Sequence, residues 1–219
     1  MHESISITAP FSHAWERFKE NIWFLVGVQL IIILVSVIES QVNDISNEEV
    51  SVLWVVLAFF FLTVKTYISM GYLRLCLKCN DNKSLDFDDI FSDFKLFLKY
   101  ILAEFIFGIA VVVGIMLFIL PGIYFGVRLM FFGYLVVDKE LSATEAISES
   151  YAMTNGYFWP LFGFLVIVVL INFIGLLFFV VGVLVTLPIT SVATAYIYRE
   201  LRGEFSSEPE QMQNFSPEV

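Results

Sequence analysis

The sequence predicts an all-α, polytopic membrane protein: six transmembrane helices, arranged as three hairpins with in-plane amphipathic helices on the cytoplasmic side. Three observations carry that class. The 219-residue chain is 58% hydrophobic and 16% charged, whereas a soluble domain carries about 25% charged residues. Several apolar stretches reach or approach the roughly 20 residues needed to cross a bilayer. Lys and Arg gather in alternate connections between those stretches, which sets an orientation.

The first element precedes any span. In "PFSHAWERFKENI", Phe11, Trp15 and Phe18 recur at i, i+4 and i+7 and share one helical face. Pro10 suits a first helical turn. The expectation is an in-plane helix over 10–20 in the inner interface; the alternative is a plain cytoplasmic extension of the first span. No cleavable signal peptide is expected, because the first apolar run follows a polar, mixed-charge leader without an A-x-A-like site.

The spans are expected at 22–38, 52–72, 101–120, 123–137, 158–175 and 183–198, the fourth being short. The apolar run over 158–198 is too long for one crossing, so it folds back, with Gly175 and Gly182 bracketing the turn. A second in-plane helix is expected at 86–97, where Phe87, Ile90, Phe91, Phe94 and Phe97 lie between acids and lysines. A third is expected at 143–154. Ser142 and Glu145 there have capping-box spacing, Ala143, Ile147, Tyr151 and Thr154 form the less polar stripe, and Asn155-Gly156 is a stop. "AWERFKENIWFLVG" and "SYAMTNGYFWPLFG" align at Trp15/Tyr151, Trp23/Trp159, Leu25/Leu161 and Gly27/Gly163, which suggests a repeated unit of in-plane helix and hairpin. Residues 1–202 make one helical membrane domain. Residues 203–219 are polar and acidic and read as a disordered cytoplasmic tail.

Basic residues assign the sides. Arg17 and Lys19, then Arg74, Lys78, Lys83, Lys95 and Lys99, then Lys139, then Arg199 and Arg202 all fall on one side; the connections after the first, third and fifth spans carry no Lys or Arg. Positive charge marks the cytoplasm, so both termini are expected there and 39–50 outside. Trp23, Trp54 and Trp159 near span ends agree.

Several residues stand out chemically. Pro121-Gly122 reads as a turn between the third and fourth spans, since proline disfavours helix at Leu120 and glycine allows a positive φ; a kink in one long helix would make the span count odd. Arg128 lies roughly 9 Å past that turn, in the outer third of a short span. A charge there is expensive and faces protein, water or headgroups. It is read as a structural arginine or a contact for an anionic lipid group, with Asn172 as a candidate partner. Lys65 and Glu104 form a candidate structural ion pair. Thr186, Thr190 and Thr194 recur at i+4 and read as a packing face or, alternatively, a pore lining.

Composition excludes several classes. The net charge of −10 repels nucleic acid. Two cysteines and two histidines are too few for a disulfide framework or a four-ligand zinc site. Cys76-Leu-Lys-Cys79 lacks a second ligand pair and a βαβ setting. No G-x-S-x-G, P-loop or H-E-x-x-H occurs. No catalytic residue, metal or cofactor is assigned.

Residues 120–159, "LPGIYFGVRLMFFGYLVVDKELSATEAISESYAMTNGYFW", resemble an uncharacterised bacterial integral-membrane family related to the membrane domain of some glycerophosphoryl diester phosphodiesterases. The shared pattern falls on Pro121, Gly122, Ile123, Asp138, Glu145, Ala146, Ser150 and Trp159. "AWERFKENIW" is similar to the family's start. The resemblance implies a polytopic helical fold in the bacterial cytoplasmic (inner) membrane. It does not imply phosphodiesterase activity, which belongs to a separate soluble barrel.

The expected function is a non-enzymatic integral membrane protein in envelope or lipid homeostasis, acting through lipid or protein contacts. Membrane lipids are the expected partners, with homo-oligomers or other membrane proteins as further classes. The alternative is a small transporter or channel whose polar path uses Arg128, Asn172 and the Thr186/Thr190/Thr194 stripe.

Overall fold

The computed structural model describes residues 9–45, 52–90 and 94–204. Those residues are all-helical, with no strand among them. The order is α1 (Ala9–Glu20), α2 (Ile22–Ile45), α3 (Val52–Asn80), a 3-10 turn (Phe87–Ile90), α4 (Phe94–Leu117), α5 (Ile119–Leu129), α6 (Phe132–Lys139), α7 (Ala143–Met153), α8 (Phe158–Leu177) and α9 (Phe179–Leu201). Six segments are long and apolar enough to cross a membrane: Ile22–Gln41, Val56–Asn80, Lys95–Leu117, Ile119–Lys139, Phe158–Leu177 and Val181–Leu201. That count is compatible with an integral membrane protein.

Two reversals differ from expectation in cause, and the first of them also in position. α4 ends at Leu117 and α5 begins at Ile119, so the chain turns at Phe118, whose φ of −162° and ψ of 152° are extended. Pro121 lies in the first turn of α5, where a missing N–H costs nothing. Gly122 is helical and supplies no positive φ; among the described glycines only Gly156 and Gly203 do. The glycines act through their missing side chains. A Cβ on Gly114 would lie 2.8 Å from the Cα of Gly122, so the pair lets α4 and α5 meet backbone to backbone below the turn. The later reversal repeats the device: α8 and α9 meet at Phe178, and a Cβ on Gly182 would fall 2.9 Å from the Gly175 carbonyl carbon.

Burial gathers at one end of the molecule. Leu25 and Val28 from the start of α2, Leu75 and Cys76 from the later part of α3, Phe97 and Tyr100 from the start of α4, and Ile197 and Tyr198 from the end of α9 enter one core. The short helix α6 contributes nearly every side chain to it. The opposite halves of α2, α3, α4 and α9 expose Leu34, Phe59, Phe60, Met116 and Val181, and the later half of α8 exposes Phe173 and Leu177. The helices thus pack like a soluble domain at one end and present apolar faces at the other, where lipid is the natural solvent.

α1 packs against α9. Its inner face is Pro10, Ala14 and Phe18, with Phe11 stacked on Phe164 at 5.3 Å. Trp15, expected on that face, is exposed. The helix expected over 86–97 is absent as such. Phe87–Ile90 forms a 3-10 turn under α3, residues 91–93 lie outside the described set, and α4 runs without interruption from Phe94 into its span.

α7 forms as expected, with its capping box made by Ser142 and Glu145. Its buried stripe is Ala143, Ala146 and Ser150, with Thr154 beyond; Ala143 and Thr154 are where the sequence placed them, while Ala146 and Ser150 take the places expected of Ile147 and Tyr151. Small residues face inward because α7 lies close against α4 and α6. The two aligned sequence segments share a burial pattern: Ala14 and Ser150, Phe18 and Thr154, Leu25 and Leu161, and Val28 and Phe164 are all buried, while Trp23 and Trp159 are 89% and 76% exposed.

Candidate functional site

The site grows from a defect in the fourth apolar segment. Helix α5 stops at Leu129, Met130 and Phe131 form a turn, and α6 resumes at Phe132. A break of this kind frees backbone groups that must find partners away from water. α7 supplies them. The Phe131 N–H donates to Ser150 Oγ at 3.2 Å. Ser150 Oγ in turn donates to the Arg128 carbonyl at 3.2 Å. Thr154 Oγ1 lies 3.0 Å from the same carbonyl and 2.8 Å from the Ser150 carbonyl, so its single proton serves one at a time.

The side chain of Arg128 is only 3% exposed. Its guanidinium carbon sits 4.1 Å from the Tyr151 ring centre and 5.8 Å from that of Tyr124. The two tyrosine hydroxyls are 3.2 Å apart. The Tyr124 hydroxyl and the Arg128 guanidinium both hold the Tyr151 hydroxyl below the ordinary phenol range. Among the described residues Arg128 has no carboxylate within salt-bridge reach, and its Nε is buried without a hydrogen-bond partner. Tyr124 also lines an apolar groove of about 520 Å³ together with Phe158, Trp159 and Phe162.

This placement corrects the sequence reading. Arg128 was expected at the face opposite the 143–154 helix; the structure puts it against that helix, because α7 runs back along α6 and carries Tyr151 to the break. Asn172 is not its partner. Asn172 Nδ2 donates to the Val168 carbonyl at 2.9 Å and to Thr190 Oγ1 at 3.2 Å. Thr190 and Thr194 donate to the carbonyls of Thr186 and Thr190 at 2.9 and 2.7 Å, and Thr186 packs against Gly175. These four residues form a helix-packing set on α8 and α9, with the hydroxyls of Thr190 and Thr194 turned into their own helix.

Lys65 and Glu104 are not paired either. Lys65 Nζ lies 3.6 Å from Glu39 of α2, while the Glu104 carboxyl bonds the Thr66 hydroxyl. Lys65 and Thr66 are consecutive on α3, so they point to different neighbours.

One constellation escaped the sequence reading. At the packed end, Arg199 lies 2.9 Å from Asp81, 3.1 Å from Asp138 and 2.6 Å from Glu204. The Tyr198 hydroxyl donates to Asp138 at 3.0 Å, and the Tyr198 ring stacks on Tyr134 at 5.3 Å. This knot ties the ends of α3, α6 and α9. In the sequence Arg199 counted only toward orientation; the signal present was that Asp81 and Asp138 also stand at helix ends. Cys76 and Cys79 are buried free thiols. Among the described residues no three His, Cys, Asp or Glu side chains gather as a metal site.

A family model described as a domain of unknown function, DUF7847, matches residues 93–213, more than half of the chain. The match takes in α4 to α9, and with them Arg128, Ser150, Tyr151 and Thr154. It carries no link to the phosphodiesterase membrane domain. No curated protein and no solved structure matches the chain.

Proposed function

The chain belongs to the DUF7847 family, whose function is unknown, and we propose from its own residues that it is a non-enzymatic integral membrane protein that holds an anionic lipid headgroup at Arg128. The observation that carries this reading is a buried guanidinium with no acid beside it, capped by Tyr124 and Tyr151 and bordered by an apolar groove. A buried cation without an anion is costly, and a phosphate would supply the missing charge through the geometry arginine favours. The groove beside Phe158, Trp159 and Phe162 takes the acyl chain.

In this reading the six segments cross the bacterial cytoplasmic membrane as three hairpins. The packed end, with Lys139, Arg199 and Arg202, faces the cytoplasm, and both termini lie there. α1 and α7 are the amphipathic helices of the inner interface, docked onto the bundle. Kinship with the phosphodiesterase membrane domain would suit a lipid setting. The role is one in envelope or lipid homeostasis, with lipids as partners and no reaction assigned. The alternative transport reading draws less support, because Asn172 and the threonine stripe bond one another and do not join Arg128.

The test is native mass spectrometry of the protein from nanodiscs of neutral phosphatidylcholine with or without phosphatidylglycerol. Wild type is expected to retain the anionic lipid, and Arg128→Gln to lose it at an unchanged melting temperature. Phe162→Trp, which fills the groove and keeps the charge, is expected to weaken retention as well. Equal retention of neutral and anionic lipid by wild type would overturn the reading.

A further inference from the structure

A second site of opposite charge lies between α3 and α4. These two helices touch only sparsely, and a groove of about 510 Å³ opens between them, lined by Phe59, Thr66, Glu104, Phe105, Gly108 and Val112 among others. The groove is almost wholly apolar, and its one ionisable group is Glu104. That residue lies within the segment Lys95–Leu117, where an ionised carboxylate without a cation is expensive. Among the described residues no Lys, Arg or His reaches it within 4.0 Å. Lys65, the partner expected from the sequence, is turned toward Glu39, and Lys99, just over one turn away on α4, bonds the Glu140 carbonyl.

The groove has a direction. Glu104 and Thr66 stand at one end, and Phe59, Val112 and Val113 at the other. From Glu104 to Val112 is about 12 Å of helix. Midway, Gly108 has nothing within 4 Å of where a Cβ would stand, so the floor is open.

We propose that this groove binds a single-chain cationic amphiphile, with its ammonium on Glu104 and Thr66 and its alkyl chain running past Gly108 toward Val112. The acid supplies charge complementarity, and the apolar length supplies the tail's surroundings. The site shares no residue with the Arg128 cage and stands or falls separately from it.

The test uses the full chain in a neutral detergent, probed with n-decylammonium, decanol and decyl sulfate by native mass spectrometry. Wild type is expected to hold one decylammonium and to bind neither of the others comparably. Glu104→Gln, which keeps the bond to Thr66, should weaken decylammonium tenfold or more. Gly108→Leu should do the same by filling the floor, and as a better helix former it should preserve the fold. Arg128→Gln should leave decylammonium binding intact. Undiminished binding by Glu104→Gln would overturn the proposal. Decanol binding as tight as decylammonium would also overturn it, making the groove an acyl-chain slot.

Discussion

The hydroxyl of Thr154 lies 3.0 Å from the carbonyl oxygen of Arg128, across 26 residues of chain. That bond, with the pair made by Ser150, means that the break in the fourth apolar segment and helix α7 are one structural unit. α7 completes the backbone hydrogen bonding that α5 and α6 leave open, and the same contact brings Tyr151 over the guanidinium.

Ser150→Ala should therefore destabilise the fold by about 1–3 kcal/mol, since it orphans the buried Phe131 N–H, while the Arg128 carbonyl keeps Thr154. Thr154→Val should cost less, because Ser150 still reaches the Arg128 carbonyl. The double variant should exceed the sum, because only then does the Arg128 carbonyl lose both of its donors. Thermal or denaturant unfolding in detergent checks this; strict additivity would mean the two hydroxyls act independently.

Gly114→Leu should separate α4 from α5 and cost about 1–3 kcal/mol by overpacking, because Gly122 backbone occupies the space. Gly126→Ala, on the open side of α5 with nothing within 4 Å of its Cβ position, should be neutral or slightly stabilising. Equal melting temperatures for Gly114→Leu and wild type would count against the close approach.

Arg199→Ala should destabilise the fold by about 1–3 kcal/mol, because it removes the cation shared by Asp81 and Asp138 and leaves each with a single, partly exposed lysine, Lys83 and Lys139. Arg199→Lys should recover only part, since one ammonium lacks the fork that reaches both acids. Protease sensitivity of α9 is the readout; wild-type resistance in Arg199→Ala would refute the knot's role.

His13 gives a pH dependence. Its ring lies 4.9 Å from that of Tyr196. Burial first, and then Arg17, lowers its pKa below the ordinary 6.5, against the opposing pull of Glu16 and Glu20. The unfolded chain then binds a proton near pH 6.5 that the folded chain takes up only at lower pH. Stability is full above that pH and declines as pH falls through 6.5 toward the folded pKa. His13→Gln should flatten this part of the profile, seen as the difference between the two melting curves from pH 7.5 to 5.5. Parallel profiles would show that the imidazole is not protected by the fold.

The proposed topology rests on the basic residues. A cysteine at Ser46 should react with an impermeant reagent in intact cells, and one at Ser207 only after permeabilisation. Labelling at Ser207 in intact cells would reverse the orientation proposed for α9.

Much of the architecture was legible because it follows from local composition. Runs of apolar residues mark all six segments, and the box of Ser142 and Glu145 marks the start of α7, since a cap is decided by residues three apart. The first reversal was placed less well, and the cause of both was different. The sequence reading used glycine for its dihedral freedom, whereas Gly114, Gly122, Gly175 and Gly182 serve by having no side chain, a property that matters only once two helices meet. The stripes on α1 and α7 slipped for a related reason: Ala14, Ala146 and Ser150 are small, and close approach of a neighbouring helix selects small residues over large apolar ones such as Trp15.

By itself the sequence determined the helical class, the apolar segments and the distribution of charge, because each depends on residues near one another in the chain. Only the tertiary structure decided who partners whom. Lys65 goes to Glu39, Glu104 to Thr66, Asn172 to Thr190, and Arg128 to Tyr151. A charge buried among helices takes its partner from whichever face is turned toward it. That depends on the rotation of each helix and on the break after Leu129, which the spacing of residues along one chain does not encode.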